Sequence, residues 1–539
     1  MTLLKDSAPR IHAWEEAKQA TPERMLRARA ALLDIRAGAP VFEAISRHPL
    51  SDGGFVGKQI LVAAYRELVE SGAWIEDAAL LARIRLKPMR TLSGVSVVTV
   101  LTKPYPCPGK CVFCPTDVRM PKSYLPDEPG AMRALQHDFD PYAQVRSRLD
   151  TLEALGHPTD KIELLILGGT WSSYKRDYQE EFILRMFEAL NGVPSGSLAE
   201  AQRFNETTLH RAVGLAVETR PDHVNPDELA WLRYLGVTKV QIGAQSFDEH
   251  ILELNKRGHT PAETRQAADL LRAAGFKIVL HWMPNLLGAT PASDRADFAK
   301  LWDGYCPDEL KIYPTQLLEN AELYLYWQRG EYQPYSTEEL VELLADIKPT
   351  IPEYCRVNRV IRDIPSTNVV EGNRRSSLRM DVHEVMKSRG QVCRCVRCRE
   401  VKGRDIDAAQ LGLRDFPYAT HHAEEHFLTF VTPEDQLAGF LRLSLPKIDS
   451  PATGLPDLTR AALVREVHVY GQSLEVGEEQ SGAAQHIGLG TRLLLRAEET
   501  ARKAGFARMA VIAAVGTRGY YAGRGYQLGE TYMVKNLSD

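Results

Sequence analysis

The chain has 539 residues, a formal net charge of −4, 44% hydrophobic residues and 25% charged residues. This composition excludes a disordered, collagenous or coiled-coil chain, and the length asks for about three or four domains rather than one core. No run of about 18 apolar residues occurs and the first residues carry no apolar stretch of signal-peptide length, so no membrane span is expected and a cytoplasmic location is predicted.

Charge is distributed unevenly. Residues 1–110 hold 16 basic against 11 acidic residues, and residues 372–404 hold 10 against 3. Local positive fields on a mildly acidic chain fit a polyanion bound at a defined place. Residues 10–88 read as helical, with Leu26, Ala30, Leu33 and Ala37 on one face and Ile60, Ala63, Ala64 and Leu68 on another. Arg24, Arg27, Arg29 and Arg36 decorate the first helix.

Apolar runs then alternate with helical segments, at 95–101, 162–167, 213–217, 237–242, 277–281 and 309–313. Asn225-Pro226-Asp227-Glu228 and Thr260-Pro261-Ala262-Glu263 are helix starts, each with a capping side chain, a proline in the first turn and a glutamate at the third position. Six such units predict a parallel sheet with helices outside, and residues 191–210 read as a polar insertion. Ligands bind at the carboxyl ends of such strands. The first of those ends leads to Cys107, Cys111 and Cys114. Their C-x3-C-x2-C spacing places three thiolates on one loop, so a four-iron cluster there keeps one iron without a protein ligand; a zinc knuckle with a distant fourth ligand is the alternative. This spacing resembles the radical-SAM superfamily, in which S-adenosylmethionine chelates the open iron. Gly168, Gly169 and Thr170 end the second strand, where bare backbone admits a ligand closely. Glu218 and Arg220, Gln245, His281, and Lys311 with Tyr313 complete a polar ring around the same mouth.

A second triple, Cys393, Cys395 and Cys398, lies in the arginine-rich segment. Its C-x-C-x2-C spacing suits a structural zinc, with Cys355, His383, His421 or His422 as the fourth ligand; a second iron cluster is the alternative. After a hairpin over 427–431 and 439–444 and a strand over 463–470 comes Gln485-His-Ile-Gly488-Leu489-Gly490-Thr491, opening an amphipathic helix. Its glycines free backbone N–H groups at the helix start to face an anion. This loop resembles the pyrophosphate loop of GNAT acetyltransferases, and Tyr521 is within reach of a CoA sulfur in that fold, with aromatic packing the bland reading for Tyr520 or Tyr521.

Taken together, the chain resembles the Elongator catalytic subunit family. The resemblance rests on strings such as Lys87-Pro-Met-Arg-Thr-Leu-Ser-Gly-Val95, Lys103-Pro-Tyr-Pro-Cys107, Met120-Pro-Lys-Ser-Tyr124, Glu218-Thr-Arg-Pro221, Arg257-Gly-His-Thr260, Cys395-Val-Arg-Cys398, Glu466-Val-His-Val-Tyr-Gly471 and Gly516-Thr-Arg-Gly-Tyr-Tyr521. It implies a multidomain α/β chain. A basic helical tRNA-binding region at 1–90 precedes a partial (β/α)6 radical-SAM barrel at 91–365; a zinc-binding connector at 366–418 leads to a GNAT domain at 419–539. It implies 5-carboxymethylation of the wobble uridine of tRNA. A deoxyadenosyl radical takes hydrogen from the acetyl methyl of acetyl-CoA, the carbon radical adds to carbon 5 of uracil, and thioester hydrolysis releases the carboxylate.

The implied cluster ligands are Cys107, Cys111 and Cys114. Lys161, Glu466, Val467, His468, Val469, Gln485, Gly488, Leu489, Gly490, Thr491 and Tyr521 match the family's acetyl-CoA positions or loop, and Lys161, Lys311, Tyr520 and Tyr521 are the candidate catalytic residues. The implied partners are tRNA, acetyl-CoA and an external electron donor, with a homo-oligomer admitted and no membrane. The chain departs from the family's Pro-Asp-Leu-Pro-Gly at Pro284-Asn285-Leu286-Leu287-Gly288. Protein-lysine acetylation beside a structural radical-SAM domain is the competing function, and a non-catalytic RNA scaffold is the third.

Overall fold

The computed structural model describes residues 19–88, 91–402, 406–470 and 488–537. Two units emerge: the described residues through Ser96 with Arg146–Thr159, and Val97–Val145 with the chain from Asp160 onward.

The first unit is helical, with α1 (Pro22–Arg36), α2 (Val41–Arg47), α3 (Lys58–Glu70) and α4 (Ala78–Ile84). Thr21 caps α1 by accepting from the Arg24 N–H, and Asp77 caps α4 by accepting from the Leu80 N–H. Its core packs Ala28, Ala31, Leu32 and Ile35 of α1 with Ile60, Leu61 and Ala64 of α3. This corrects the expected stripe on the first helix: Leu26 and Leu33 are 63% and 59% exposed. Small alanines face the neighbouring helix there, because they allow the closest backbone approach.

The second unit holds two seven-stranded sheets. In the first, β1 (Ser96–Leu101), β2 (Lys161–Leu167), β3 (Arg211–Thr219), β4 (Lys239–Gln245), β5 (Lys277–Trp282), β6 (Glu309–Ile312) and β7 (Arg356–Arg359) lie in sequential order. From β2 to β7 every neighbouring pair is parallel. The connecting segments include α5 (Pro129–Gln136), α6 (Pro141–Ala154), which belongs to the first unit from Arg146 onward, α7 (Arg176–Asn191), α8 (Leu198–Asn205), α9 (Pro226–Tyr234), α10 (Glu249–Leu254), α11 (Pro261–Ala273), α12 (Pro291–Lys300), α13 (Leu323–Gln328) and α14 (Thr337–Ile347). The Asn225 cap is present, and Thr260 with Glu263 forms a full capping box.

Two expectations change. The sheet has seven strands rather than six, because Arg356-Val-Asn-Arg359 pairs with β6 despite its polar sequence. The supposed insertion at 191–210 contains α8, whose buried Asn205 bonds Asn191, the His210 carbonyl and the Ala212 N–H, binding the helix to the start of β3.

Helices α15 (Leu378–Ser388) and α16 (Val396–Arg399) precede the second sheet. That sheet comprises β8 (Gly412–Ala419), β9 (Ala423–Val431), β10 (Leu437–Pro446), β11 (Ala461–Val469), β12 (Arg508–Val511), β13 (Gln527–Leu528) and β14 (Met533–Asn536), in the order β13-β14-β12-β11-β10-β9-β8. The expected hairpin is β9–β10, and β8 adds a strand from a stretch read as connector. The pairing is antiparallel except between β11 and β12, which run parallel. The crossover between them contains α17 (Leu489–Lys503), and α18 (Arg518–Ala522) follows β12.

The second sheet packs on the amino-terminal edge of the first. The Tyr532 hydroxyl donates to the Ala274 carbonyl before β5, Arg233 reaches the Thr531 carbonyl, and a Cβ at Gly516 would meet Arg211 and Ala212 of β3. Among the described residues no helix is long and apolar enough to cross a membrane.

Candidate active site

The carboxyl ends of β1 and β2 are joined by the Thr102 N–H donating to the Leu167 carbonyl at 3.0 Å. Gly168 and Gly169 follow with φ of 137° and 110°, a region that L side chains avoid. A Cβ at Gly168 would lie 2.0 Å from Thr102 Oγ1, whereas one at Gly169 would meet nothing within 4 Å. The first glycine is therefore required by packing and the second leaves open space at the mouth.

The cysteine loop is fixed from beneath. Buried Val112 and Phe113 pack with Leu286, Leu317 and Leu323, and the Val112 N–H donates to the Asn255 carbonyl. Cys107 Sγ lies 3.7 Å from Thr170 Oγ1, so the loop meets the glycine turn of β2. Arg257 Nη1 donates to Cys111 Sγ at 3.4 Å. Arg220 is clamped by Asp222 and donates to the carbonyls of Arg257 and Gly258. A Cβ at Gly109 would stand 2.9 Å from Arg220 Nη1, so this loop glycine admits the guanidinium. Cys111 is pulled well below the ordinary thiol range by its hydrogen bond with Cys114 and by Arg257 and Arg220. Cys114, the other partner of that hydrogen bond, is pushed up by it and by burial, so the two arginines favour a thiolate at Cys111, the form that binds iron.

Around the mouth, His281 Nδ1 lies 3.4 Å from Glu218 and its Nε2 3.1 Å from Gln241. Burial and the Lys311 ammonium push His281 well below its usual range, so the ring is neutral. Lys311 stands 5.8 Å from the centre of the Tyr313 ring. Gln245 has φ 70°, and its Oε1 and Arg257 Nε are buried without a hydrogen-bond partner among the described residues. An orphaned polar atom on Arg257, whose guanidinium touches Cys111, fits a site built for a polar ligand. Arg220 and Arg257 thus stand with the first triple, and His281 links Glu218 and Lys311 to Arg257. Sequence reasoning gave no separate role to Arg257, or to Arg362, which pairs with Glu128 at 3.0 Å and covers the Tyr124 ring at 4.6 Å. Each is brought to the mouth by a distant segment, and only the family strings around Arg257 and Tyr124 hinted at two of these positions.

At the opposite edge of the parallel sheet, Lys161 opens β2, 3.9 Å from Asp160, with its ammonium pKa lowered by burial. That edge is where the second sheet docks. Glu466 on β11 pairs with Lys277 of β5 and with Arg442 at 2.9 Å. Val467, His468 and Val469 pair with Leu441, Phe440 and Gly439 of β10, and burial pushes His468 down to about 4. Gly488 (φ 66°) starts α17, Leu489 is buried, and a Cβ at Gly490 would lie 2.6 Å from the Tyr520 hydroxyl. Arg524 donates to Thr491 Oγ1 at 3.0 and 2.8 Å and covers the Tyr520 ring at 3.6 Å. Tyr520 therefore faces the helix start. Tyr521 is buried, which raises its phenol pKa. Gln485 lies outside the described residues.

The second triple is tight: the sulfurs of Cys393, Cys395 and Cys398 all lie within 4.8 Å of one another. Ligands at about 2.3 Å from one tetrahedral ion stand about 3.8 Å apart, so this spacing suits a single ion. In the first triple, Cys111 and Cys114 share a hydrogen bond, while Cys107 Sγ meets Thr170 Oγ1. His383 Nε2 is 4.0 Å from Cys398 Sγ, and the Cys355 carbonyl accepts from Val396. His421 and His422, also candidates for the fourth ligand, instead flank Asp269 at 3.3 and 3.8 Å. Fully buried Lys348 donates to Cys393 Sγ at 3.7 Å, a cation suited to thiolates.

Comparison with known proteins follows this division of the chain. Residues 105–301 match the radical SAM superfamily and residues 307–388 the radical SAM C-terminal domain. A Dehalococcoides mccartyi protein named tRNA uridine(34) acetyltransferase is 43% identical over 84% of this chain and 99% of its own length. Elongator complex protein 3 of Danio rerio is 38% identical over 85% of this chain and 87% of its own. The solved structure of archaeal Methanocaldococcus infernus Elp3 with an N-terminal deletion is 36% identical, covers 82% of this chain and 99% of that one, and superposes with a TM-score of 0.72. With three thiols at the mouth of a parallel sheet and identities of this extent, the chain belongs to the radical SAM family that includes Elongator complex protein 3 and the tRNA uridine(34) acetyltransferases.

Proposed function

We propose that the chain is a tRNA-modifying acyltransferase that converts the wobble uridine to 5-carboxymethyluridine, with acetyl-CoA as carbon donor. The observation that carries this is one unit presenting a three-thiol loop at one end of a parallel sheet and a glycine-opened helix in a second sheet at the other. The relatives' names supply the substrate. The net change joins the acetyl methyl carbon to carbon 5 of uracil with loss of one hydrogen from each, and hydrolyses the thioester to a carboxylate and free CoA; S-adenosylmethionine would be the two-electron oxidant, consumed to methionine and 5′-deoxyadenosine, which carries off the methyl hydrogen, while the carbon 5 hydrogen leaves as a proton. A methyl group of that kind is too weakly acidic for simple base catalysis, which explains pairing an acetyl site with radical chemistry.

Cys107, Cys111 and Cys114 would hold a 4Fe-4S cluster, which when bound supplies the electron that cleaves S-adenosylmethionine to a 5′-deoxyadenosyl radical. Gly168, Gly169 and Thr170 give S-adenosylmethionine bare backbone, and Glu218, Arg220 and Gln245 give it polar partners. Arg257 and Arg220 favour the anionic form of Cys111. Neutral His281 and Lys311 face the pocket where the splayed base enters. In the second sheet, read as a GNAT domain over 419–539, Gly488, Leu489, Gly490 and Thr491 present N–H groups to a pyrophosphate. Glu466, Val467, His468 and Val469 line the cofactor arm, Gln485 belongs to the same loop, and Tyr520 and Tyr521 stand at the thioester with Lys161. Cys393, Cys395 and Cys398 would hold zinc in the connector, 366–418. The barrel is assigned to 91–365 and a basic tRNA-binding region to 1–90; an external electron donor and a cytoplasmic setting complete the reading.

The test is anaerobic reconstitution of the full chain with S-adenosylmethionine, acetyl-CoA, a reductant and a uridine-wobble tRNA. Carboxymethyluridine in the digested tRNA is the expected product by mass spectrometry. Acetylated protein lysines with no modified nucleoside would instead select the acetyltransferase alternative.

A further inference from the structure

Tyr105 stands two residues before the first cysteine, in Lys103-Pro104-Tyr105-Pro106. Proline fixes its own φ and steers the preceding residue into extended backbone, so Tyr105 is held within a narrow backbone range. Its ring lies 4.7 Å from that of Tyr174 at 31°; Tyr174 stacks on Tyr178 at 5.2 Å and 24°; Tyr178 meets Phe182 at 5.6 Å. The four rings form a column that runs from the surface, where Tyr105 is 36% exposed, to Phe182 in the core at 1%.

The column is pinned at the mouth. The Tyr174 hydroxyl shares a hydrogen bond with Thr102 Oγ1 at 2.8 Å and donates to the carbonyls of Lys103 and Gly168. The Lys103 N–H donates to the Tyr178 hydroxyl, and its ammonium lies 4.6 Å from the centre of that ring. Gly168 opens the turn whose Thr170 touches Cys107, so the column and the cysteine loop share one rim.

A column serving only the core would bury its last rung. This one ends in a prestacked, conformationally restricted aromatic ring, and the chain of the same rim carries a cation, Lys103, whose ammonium lies over Tyr178 in the column; aromatic rungs and a nearby cation are the combination that proteins use to hold unpaired bases. We infer that Tyr105 is the outer rung of a stacking platform for the unpaired nucleobase flanking the target uridine, with Lys103 toward the backbone phosphate. The inference rests on the tRNA reading above and names how the loop is positioned once the uridine has left its stack.

The test uses the full, reconstituted chain and anticodon stem-loop RNAs carrying 2-aminopurine on one or the other side of the target uridine. Fluorescence at one of the two positions falls on binding to wild type and to Tyr105→Phe, and does not fall with Tyr105→Ala or with Tyr105→Leu, which keeps apolar bulk without a ring. The Ala and Leu variants raise KM for the RNA roughly tenfold or more, with kcat held within about twofold, while Phe keeps the wild-type KM. Equal quenching in all four proteins, or a Phe variant as impaired as Ala, overturns the platform. Tyr105-dependent quenching without carboxymethyluridine would sink the proposed reaction and leave the platform standing; product formation indifferent to Tyr105 does the reverse.

Discussion

Gly168 and Gly169 are adjacent and chemically identical, yet the structure gives them different reasons to be glycine. Both hold positive φ, so alanine at either costs backbone strain of order 1–3 kcal/mol. Only at Gly168 does the added carbon also run into Thr102 Oγ1 and come within 3.1 Å of the Thr102 backbone nitrogen. Gly168→Ala is expected to lower stability by about 1–3 kcal/mol more than Gly169→Ala, read from urea unfolding. It should also weaken S-adenosylmethionine binding at least about tenfold in calorimetry, because Thr102 anchors Tyr174 and the β1–β2 junction. Equal losses from the two alanines would mean that the close contact carries no weight. At this scale the sequence was informative where one residue type implies one chemistry, as for cysteines at fixed spacing. It was silent about Arg257 and Arg362, since an arginine has no local signature that says which loop it will reach.

Among elements, the junction of β5, β6, β10 and β11 is an ion network buried from water. Asp308 and Arg465 are both fully buried and paired, Arg465 also binds Glu425 at 2.9 Å, and Arg442 reaches Asp308 at 3.5 Å and Glu466 at 2.9 Å. Burial alone would raise the Asp308 carboxyl, but Arg465, Arg442 and Arg272 pull it down to about 2. A folded value below the unfolded value of about 3.9 means that Asp308 contributes stability above that pH and loses it as pH falls toward 2. Asp308→Ala leaves two buried guanidinium groups undercompensated and should cost about 3–5 kcal/mol at pH 7 in denaturant unfolding. The difference between variant and wild type should shrink as pH falls from 4 toward 2. A pH-independent difference would show that the charge is not the cause. This layer also explains why β7 escaped sequence reading. Arg356 and Asn358 look like loop residues, yet Arg356 pairs with Glu400 and Asn358 donates to Glu309, so polarity there marks an internal charged layer. The exposed β8, with Pro417 and Asp415, was missed for the ordinary reason that an edge strand need not alternate.

Across the whole chain, parallel-sheet topology was legible because buried strands and capped helices alternate regularly, whereas the helical stripe on α1 was not, since two offset faces carry apolar residues and tertiary contact selects between them. The two cysteine triples are the strongest whole-chain signal, and their spacings and places in the fold predict different metals. The triple at the mouth of the parallel sheet, inside the segment that matches the radical SAM superfamily, should bind about four irons per chain, and the compact triple before the second sheet about one zinc. Cys107→Ala should therefore abolish iron and labile sulfide while leaving zinc and the unfolding midpoint nearly intact, because Cys107 sits on a partly exposed loop. Cys395→Ala should remove zinc, spare most of the iron, and lower the unfolding midpoint by several degrees, because Cys395 is fully buried at the start of α16, where the Val396 N–H is bound to the Cys355 carbonyl. Elemental analysis of anoxically purified protein separates these outcomes. Loss of both metals from either variant would show that the two sites fold as one, and zinc in both loops would remove the basis for radical chemistry at the mouth of the sheet.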